Sequence, residues 1–152
     1  MMKLKELKVY NLSMELGEKI WSDVNTWDYY SKDTIGRQFI KAVDSVAANI
    51  SEGYGRYHYC ENINFCYYSR GSLFEAKTWT EKSFRRGLIS EKEHAEIINE
   101  LVVIAKMLNG YLKSIGKTNN SVSEPVPDYQ EINDKNDADI WHNDQFPMIN
   151  DQ

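Results

Sequence analysis

The chain has 152 residues, enough for one domain with a single hydrophobic core. Hydrophobic residues make up 41% and charged residues 27%, as is ordinary for a globular protein in solution. The longest apolar runs, such as residues 101–105, are far shorter than the ~20 residues of a membrane-spanning helix, and the N-terminus lacks the apolar segment of a signal peptide. Cys60 and Cys66 make no disulfide framework, so we expect a protein of the reducing cytoplasm. The short apolar runs predict no membrane partner.

The net charge of −5 is unevenly distributed along the chain. Residues 117–152 carry eight acidic residues and two lysines, whereas residues 1–116 carry 16 basic and 15 acidic residues. An acidic protein is a poor general binder of nucleic acid. A nearly neutral body followed by an acidic tail is a different case, because such a tail can mask or regulate a basic face of the body.

Apolar residues recur at every third or fourth position along the body and predict four helices. The first helix spans about Leu7 to Thr26. The second begins near Asp33, which is a suitable N-cap residue, and stops at Gly53. Gly55 is then expected to ease the turn into the third helix.

The third and fourth helices have clear end signals. The third covers about Cys60 to Arg86 and ends at Gly87, a C-cap glycine. The fourth opens with the capping box of Ser90 and Glu93 and is expected to run to Gly116.

These elements predict the fold class. No stretch alternates with a period of two residues, so strands are not expected, and short connections favour antiparallel neighbours. The sequence therefore predicts an all-α protein, with an antiparallel up-down four-helix bundle over residues 1–116 and an acidic, mostly irregular tail over 117–152. The tail stretch DIWHNDQF (139–146) is unusually apolar for a solvated segment, and we expect it to dock on the body or on a neighbouring subunit.

The stretch NISEGYGR (49–56) invites a chemical interpretation. A phosphate-binding loop needs glycines between a strand and a helix, followed by Lys and Ser or Thr, whereas a helix precedes these glycines. Glu52 and Glu75 are the other candidates, as an acid–base pair or as metal ligands. Bundle di-metal sites repeat a Glu-x-x-His motif, however, and this spacing occurs here once, at Glu91 and His94.

We therefore expect a structural role for the polar residues of the second and third helices. Half-buried polar groups must find hydrogen-bond partners within the bundle or on a neighbouring subunit. The predicted polar network or interface consists of Asn49, Glu52, Arg70 and Glu75. His58 and the two cysteines lack the second Cys pair of a structural zinc site. The sequence predicts no catalytic residue, no metal and no cofactor.

Basic and aromatic residues are interleaved around the corner between the second and third helices, and further cations lie on both helices. Exposed aromatic residues beside Arg can stack on the bases of a single strand, or they can form a subunit interface. The sequence alone does not separate these two alternatives. The candidate nucleic-acid-binding residues are Arg37, Lys41, Tyr54, Arg56, Tyr57, Lys82, Arg85 and Arg86.

Four stretches carry a family resemblance, in this order: LKELKVYNLSMEL (4–16), VAANISEGYGR (46–56), FCYYSRGSLFEAKT (65–78) and RRGLISEKEHAEI (85–97). Together they resemble the bacterial four-helix-bundle family of ribosomal RNA intervening-sequence proteins, which is related to accessory proteins of diversity-generating retroelements. The chain departs from the family pattern at Ala47, where a proline is usual, and at Ile40 and Lys41, where an arginine pair is usual.

The resemblance implies an up-down bundle that assembles as a homo-oligomer, commonly a pentamer, with no established enzymatic activity. It also implies binding of structured RNA and a reverse transcriptase through a basic surface. We therefore expect a non-enzymatic homo-oligomeric scaffold that binds RNA or a reverse-transcriptase ribonucleoprotein. The alternative is a protein-interaction oligomer with no nucleic-acid role, in which the tail acts as a latch or a partner-binding peptide.

Overall fold

The computed structural model describes residues 3–119, and within this range all of the regular secondary structure is helical, without strands. The four long helices are α1 (Lys8–Asn25), α3 (Arg37–Tyr54), α4 (Tyr59–Arg85) and α5 (Glu91–Asn119). A 3₁₀ turn (Leu4–Glu6) precedes α1, and the short α2 (Tyr29–Ser31) with a π-helical turn (Lys32–Gly36) leads into α3. The predicted all-α four-helix bundle is confirmed. The predicted tail lies outside the described residues from residue 120 onward.

Helices that follow one another in the chain are neighbours in space, and α1 closes the bundle against α5. The register of α4 against α5 shows that the two helices are antiparallel. Asn62, near the start of α4, donates to the Tyr111 hydroxyl near the end of α5 at 3.1 Å. His94, near the start of α5, lies 2.9 Å from Glu81 near the end of α4. The short connections impose this up-down order.

One face of each long helix forms the core. The largest fully buried side chains are Phe39, Leu16, Ile20, Ile50, Leu73, Ile97, Leu101, Ile104, Leu108, Val43 and Val46. Their spacing of three and four residues follows the turn of the helix, as the sequence pattern predicted. Among the described residues, no helix combines the length and the apolar character needed to cross a membrane.

The core face of α4 also contains small polar residues. Ser69, Thr80 and Ser83 are buried together with its apolar residues. The Ser69 hydroxyl donates to the backbone carbonyl of Val46 on α3 at 2.9 Å, and the Thr80 hydroxyl donates to the carbonyl of Ala76 at 2.8 Å. Their hydrogen bonds are satisfied inside the protein, so these side chains occupy the core without a large desolvation cost.

The predicted N-cap at Asp33 is wrong. The helical path to α3 begins earlier, at Asp28, whose carboxylate accepts hydrogen bonds from the Ser31 amide at 3.0 Å and the Ser31 hydroxyl at 2.6 Å. Asp33 lies inside the π-helical turn and forms an ion pair with Arg37, four residues later. Because Asp33 lies inside the helical segment, its carboxylate can pair with Arg37 on the next turn and stabilise the helix, but it does not lie before the first turn, where an N-cap residue must be.

The predicted stop at Gly53 is also wrong. Helix α3 continues to Tyr54, and Gly55 is its C-cap, with an ordinary φ of −76°. Gly53 is buried where α3 meets α4, and a Cβ atom there would lie 2.8 Å from Cβ of Phe65. The glycine is therefore needed for close approach of two helices, and it does not end one.

The predicted ends around the α4–α5 connection are confirmed. Gly87 has a φ of +70°, and the amides of Gly87 and Leu88 donate to the carbonyls of Phe84 and Ser83, both at 2.9 Å. This is the Schellman pattern, which favours glycine at that position. The capping box forms at the start of α5, where the Ser90 amide donates to the Glu93 carboxylate at 2.6 Å. Helix α5 continues past the predicted end, to Asn119.

Candidate nucleic-acid interface

The candidate nucleic-acid-binding residues lie at two opposite ends of the bundle. One end contains Arg37 and Lys41 at the start of α3 and Lys82, Arg85 and Arg86 around the end of α4. The other contains Tyr54, the last residue of α3, and Arg56 and Tyr57, which follow it. The 18 residues of α3 separate the two sets by about 27 Å, at about 1.5 Å per residue. The structure does not bring all eight into one surface.

At the α3–α4 corner, Arg56 has its charge balanced locally. Its guanidinium forms an ion pair with Glu52, lies 3.8 Å from Glu61, and stacks 4.8 Å above the Phe65 ring. Such an arginine has less of its charge available for a phosphate group than an unpaired cation.

The two corner tyrosines differ in exposure. Tyr54 is half-buried and packs against the core. The side chain of Tyr57 is 92% exposed and makes an edge contact with the His58 ring, with the centroids 5.0 Å apart. Of the two rings, that of Tyr57 is accessible to a base or to another protein.

At the opposite end of the bundle, Arg37 forms an ion pair with Asp33 on the preceding turn. Lys41 is exposed on the same helix, one turn further along. The Arg37 pair is exposed, so its energy is small, and a phosphate group can compete with Asp33 for the guanidinium.

A groove follows the outer face of α4 at this end, and we call it the α4 groove. The described residues that line it are Phe74, Lys77, Thr78, Glu81, Lys82, Arg85 and Arg86. They form two rows with a spacing of four residues, so they share one side of the helix. Lys77 was not among the candidates predicted from the sequence. Its spacing of four from Glu81, and of eight from Arg85, is the signal that could have identified it.

Among the residues that the structure describes, four cationic side chains and one carboxylate line the α4 groove, so their summed charge is positive. The carboxylate, Glu81, is 2.9 Å from Nε2 of His94 on α5, and the His94 ring packs against Phe84 with the centroids 4.7 Å apart. Lys82 lies 5.9 Å from the centre of the Trp79 ring. Cations at the C-terminal end of a helix are also stabilised by the helix dipole, which explains why this end tolerates so many.

In the predicted polar network, Asn49, Glu52 and Glu75 each contact a different partner. Asn49 is half-buried, donates to the carbonyl of Ser45 at 2.8 Å, and lies 3.5 Å from the Ser72 hydroxyl. Glu52 pairs with Arg56, as described above. The exposed Glu75 accepts a hydrogen bond from the Trp79 indole at 3.3 Å. Arg70 is half-buried on α4.

A second charged surface, of opposite sign, lies between α1 and α5. Lys19 is 2.5 Å from Glu100 and 3.8 Å from Glu96. Burial alone lowers the pKa of Lys19, but the hydrogen bond and charge of Glu100 raise it overall. Burial raises the pKa of Asp23, and the nearby charge of Glu93 raises it further. This acidic α1–α5 surface disfavours the approach of phosphate groups.

Two observations within residues 3–119 concern metal binding and thiol chemistry. Within that range, no three His, Cys, Asp or Glu side chains are grouped so that they could hold a metal ion. Burial raises the pKa of the Cys66 thiol to about 12, so the thiol stays protonated and unreactive at neutral pH.

Comparison with known proteins agrees with the bundle and with the resemblance to intervening-sequence proteins. A crystal structure of a protein of unknown function from the S23 ribosomal protein family of Bacteroides thetaiotaomicron shares the fold, with a TM-score of 0.65 and 23% sequence identity. The similarity covers 69% of this chain and 95% of that chain. The comparison with curated proteins gives no match. Residues 5–110 match the family described as 23S rRNA-intervening sequence protein, so the chain belongs to that family.

Proposed function

We propose that the protein is a non-enzymatic, homo-oligomeric scaffold that binds structured RNA through the α4 groove. The single observation that carries the proposal is the pair of cationic rows along the outer face of α4, with Lys77 and Arg85 in one row and Lys82 and Arg86 in the other. The family description, which refers to 23S rRNA, is consistent with an RNA ligand. Neither that description nor the one given for the similar crystal structure names a reaction.

The groove suits recognition of the RNA backbone better than recognition of a base sequence. Lysine and arginine side chains spaced one or two helical turns apart can contact phosphate groups along one strand. Phe74 is half-buried in the same stripe and adds an apolar contact for ribose or an unpaired base. Such a site selects shape and charge, so we expect affinity for folded RNA with little sequence preference.

Fluorescence anisotropy with a labelled RNA hairpin tests this proposal on the full chain. Four phosphate contacts predict a slope of about −3 for the logarithm of affinity against the logarithm of salt concentration, and a loss of about 100-fold between 50 and 200 mM salt. The double variant Lys82→Glu/Arg85→Glu should lower the affinity at least about tenfold and make the slope shallower by about 2.

The matched control is Lys106→Glu/Lys113→Glu, which changes the net charge equally on exposed positions of α5. The proposal predicts a much smaller loss for this control. Equal losses in the two double variants would mean that only net charge matters, and no binding at low salt would refute RNA binding altogether.

Self-association is the second part of the proposal. Support comes from large aromatic side chains that the single chain leaves exposed, such as Trp21 on α1 at 54% and Tyr68 on α4 at 58%. Aromatic residues of this kind are enriched in protein interfaces. Multi-angle light scattering should give a mass several times that of one chain. A monomer mass at every concentration would contradict the scaffold, and the mass itself would test the predicted pentamer.

A protein-interaction oligomer without a nucleic-acid role is the second candidate function. The contacts of Arg56 with Glu52, Glu61 and the Phe65 ring favour it, because they occupy one of the predicted RNA-binding arginines. A stable oligomer that fails to bind RNA would support this candidate. The relation to retroelement accessory proteins, and with it a reverse-transcriptase partner, stays a prediction, as does the role of the tail as a latch.

A further inference from the structure

We propose that residues 137–146 of the acidic tail dock in the α4 groove of the same chain and exclude other anionic ligands from it. The docking itself does not depend on RNA binding, whereas its regulatory effect rests on the proposed function. The groove and the tail segment are complementary in charge and in apolar character, and the chain is long enough to bring them together.

On the groove side, the cationic rows flank an apolar residue. Phe74 lies at one end of the stripe, and Lys77, Lys82, Arg85 and Arg86 follow towards the end of α4. The acidic side chain of the stripe, Glu81, is directed to His94 on α5. A ligand for this surface therefore needs several negative charges and at least one apolar group.

On the tail side, residues 137–146 read DADIWHNDQF. The segment contains three aspartates and neither lysine nor arginine, and Ile140, Trp141 and Phe146 are interspersed among them. Carboxylates can form charge-assisted hydrogen bonds with the arginines, while an indole ring packs well against a guanidinium or a phenyl ring. The segment thus has the two features that the groove selects.

The register of the bundle shows that the tail can reach the groove. Because Asn62 contacts Tyr111 and Glu81 contacts His94, the groove lies beside the first half of α5, about 30 to 45 Å from the last described residue, Asn119. The 17 residues 120–136 span up to about 55 Å when extended, at about 3.3 Å per residue. The docking segment can therefore reach the groove of its own chain.

Covalent connection makes even weak docking effective. At an effective concentration of about 1 mM, which a covalent tether can provide, a segment with an intrinsic Kd of about 0.1 mM would occupy the groove about nine-tenths of the time. An external polyanion must then compete with the tail. Its apparent affinity falls about tenfold, because only about one-tenth of the chains have an open groove.

Zero-length carbodiimide cross-linking of the full chain tests the docking directly. The reagent joins a carboxylate to a lysine amine that it contacts, so mass spectrometry should find Asp137, Asp139 or Asp144 joined to Lys77 or Lys82. A mixture of isotopically light and heavy chains separates same-chain products from products between chains. The proposal predicts same-isotope products that fall at least fivefold between 50 and 500 mM salt.

Two variants and one control test the complementarity. Arg85→Glu/Arg86→Glu keeps both lysines of the groove, and Trp141→Ala/Phe146→Ala keeps all tail carboxylates, and each should lower the cross-link yield at least fivefold. The control, Tyr129→Ala/Ile132→Ala, changes apolar residues elsewhere in the tail and should leave the yield unchanged. Cross-links spread evenly over surface lysines, products only between chains, or equal effects of variants and control would overturn the proposal.

A second measurement separates this proposal from the RNA-binding proposal. If both hold, Trp141→Ala/Phe146→Ala binds the RNA hairpin about tenfold more tightly than the unaltered chain. If cross-links form but no variant binds RNA, the docking stands and the proposed function fails. If RNA binds with equal affinity in both chains and the specific cross-links are absent, the proposed function stands and the docking fails.

Discussion

Gly53 lies where α3 and α4 approach each other closely. A Cβ atom at this position would lie 2.8 Å from both Oδ1 of Asn62 and Cβ of Phe65, and 3.1 Å from the backbone carbonyl oxygen of Asn62. Backbone atoms cannot move aside without shifting a helix. The same contact positions Asn62, which donates to Tyr111 and therefore links α4 to α5.

We predict that Gly53→Ala destabilises the protein by about 1 to 3 kcal/mol, the range for overpacked cores, because α3 and α4 must move apart. The measurement is urea unfolding followed by circular dichroism. The matched control is Gly71→Ala on the exposed side of α4, where an added Cβ meets nothing within 4 Å. Alanine there should stabilise by about 0.5 to 1 kcal/mol through the higher helix propensity of alanine. Similar effects at both positions would contradict the close-approach explanation.

The start of the α2–α3 helical segment shows how an element depends on one cap. Asp28 precedes α2, and hydrogen bonds from the Ser31 hydroxyl and amide lower its pKa from the ordinary value of 3.8. Asp33 forms an ion pair with Arg37 and caps nothing. The two aspartates therefore support the same segment by different interactions.

We predict that Asp28→Ala lowers the thermal unfolding midpoint more than Asp33→Ala does. A lowered carboxyl pKa stabilises the folded state above the unfolded pKa, and that stabilisation is lost as the pH falls through the folded pKa. The difference between the unaltered chain and Asp28→Ala should therefore be complete above about pH 5 and vanish below its lowered pKa. A difference that persists at pH 2 would show that the carboxylate is not the source.

The elements themselves were largely predictable, because their signals are local. Gly87 and the Ser90–Glu93 capping box act within a few residues, and the sequence placed those helix ends within one or two positions. Gly53 was misread as a stop because its role depends on α4, which the local sequence cannot show. The α4 groove was only partly identified. Its arginines and Lys82 stand out as a cluster, whereas Lys77 joins them only through a spacing of four residues.

Over residues 3–119, charge is segregated between surfaces. The α4 groove is cationic, while Lys19 on the α1–α5 surface is surrounded by carboxylates, including Glu96 and Glu100. The α3–α4 corner at the far end of the bundle has Arg56 paired with Glu52 and close to Glu61. This distribution favours the approach of a polyanion to the α4 groove over its approach to the α1–α5 surface or the α3–α4 corner.

We predict that bound RNA protects only the lysines of the groove from chemical acetylation. In the presence of saturating hairpin RNA, modification of Lys77 and Lys82 should fall at least fivefold. Each lysine amine would then contact a phosphate group, which shields it from the acetylating reagent. Lys19 and Lys92 serve as internal controls, since both lie beside Glu96 and should react equally with and without RNA. Mass spectrometry of the same digest measures all four. Uniform protection would indicate binding without a preferred face, and unchanged groove lysines in an RNA complex would place the interface elsewhere, for example at the corner around Tyr57.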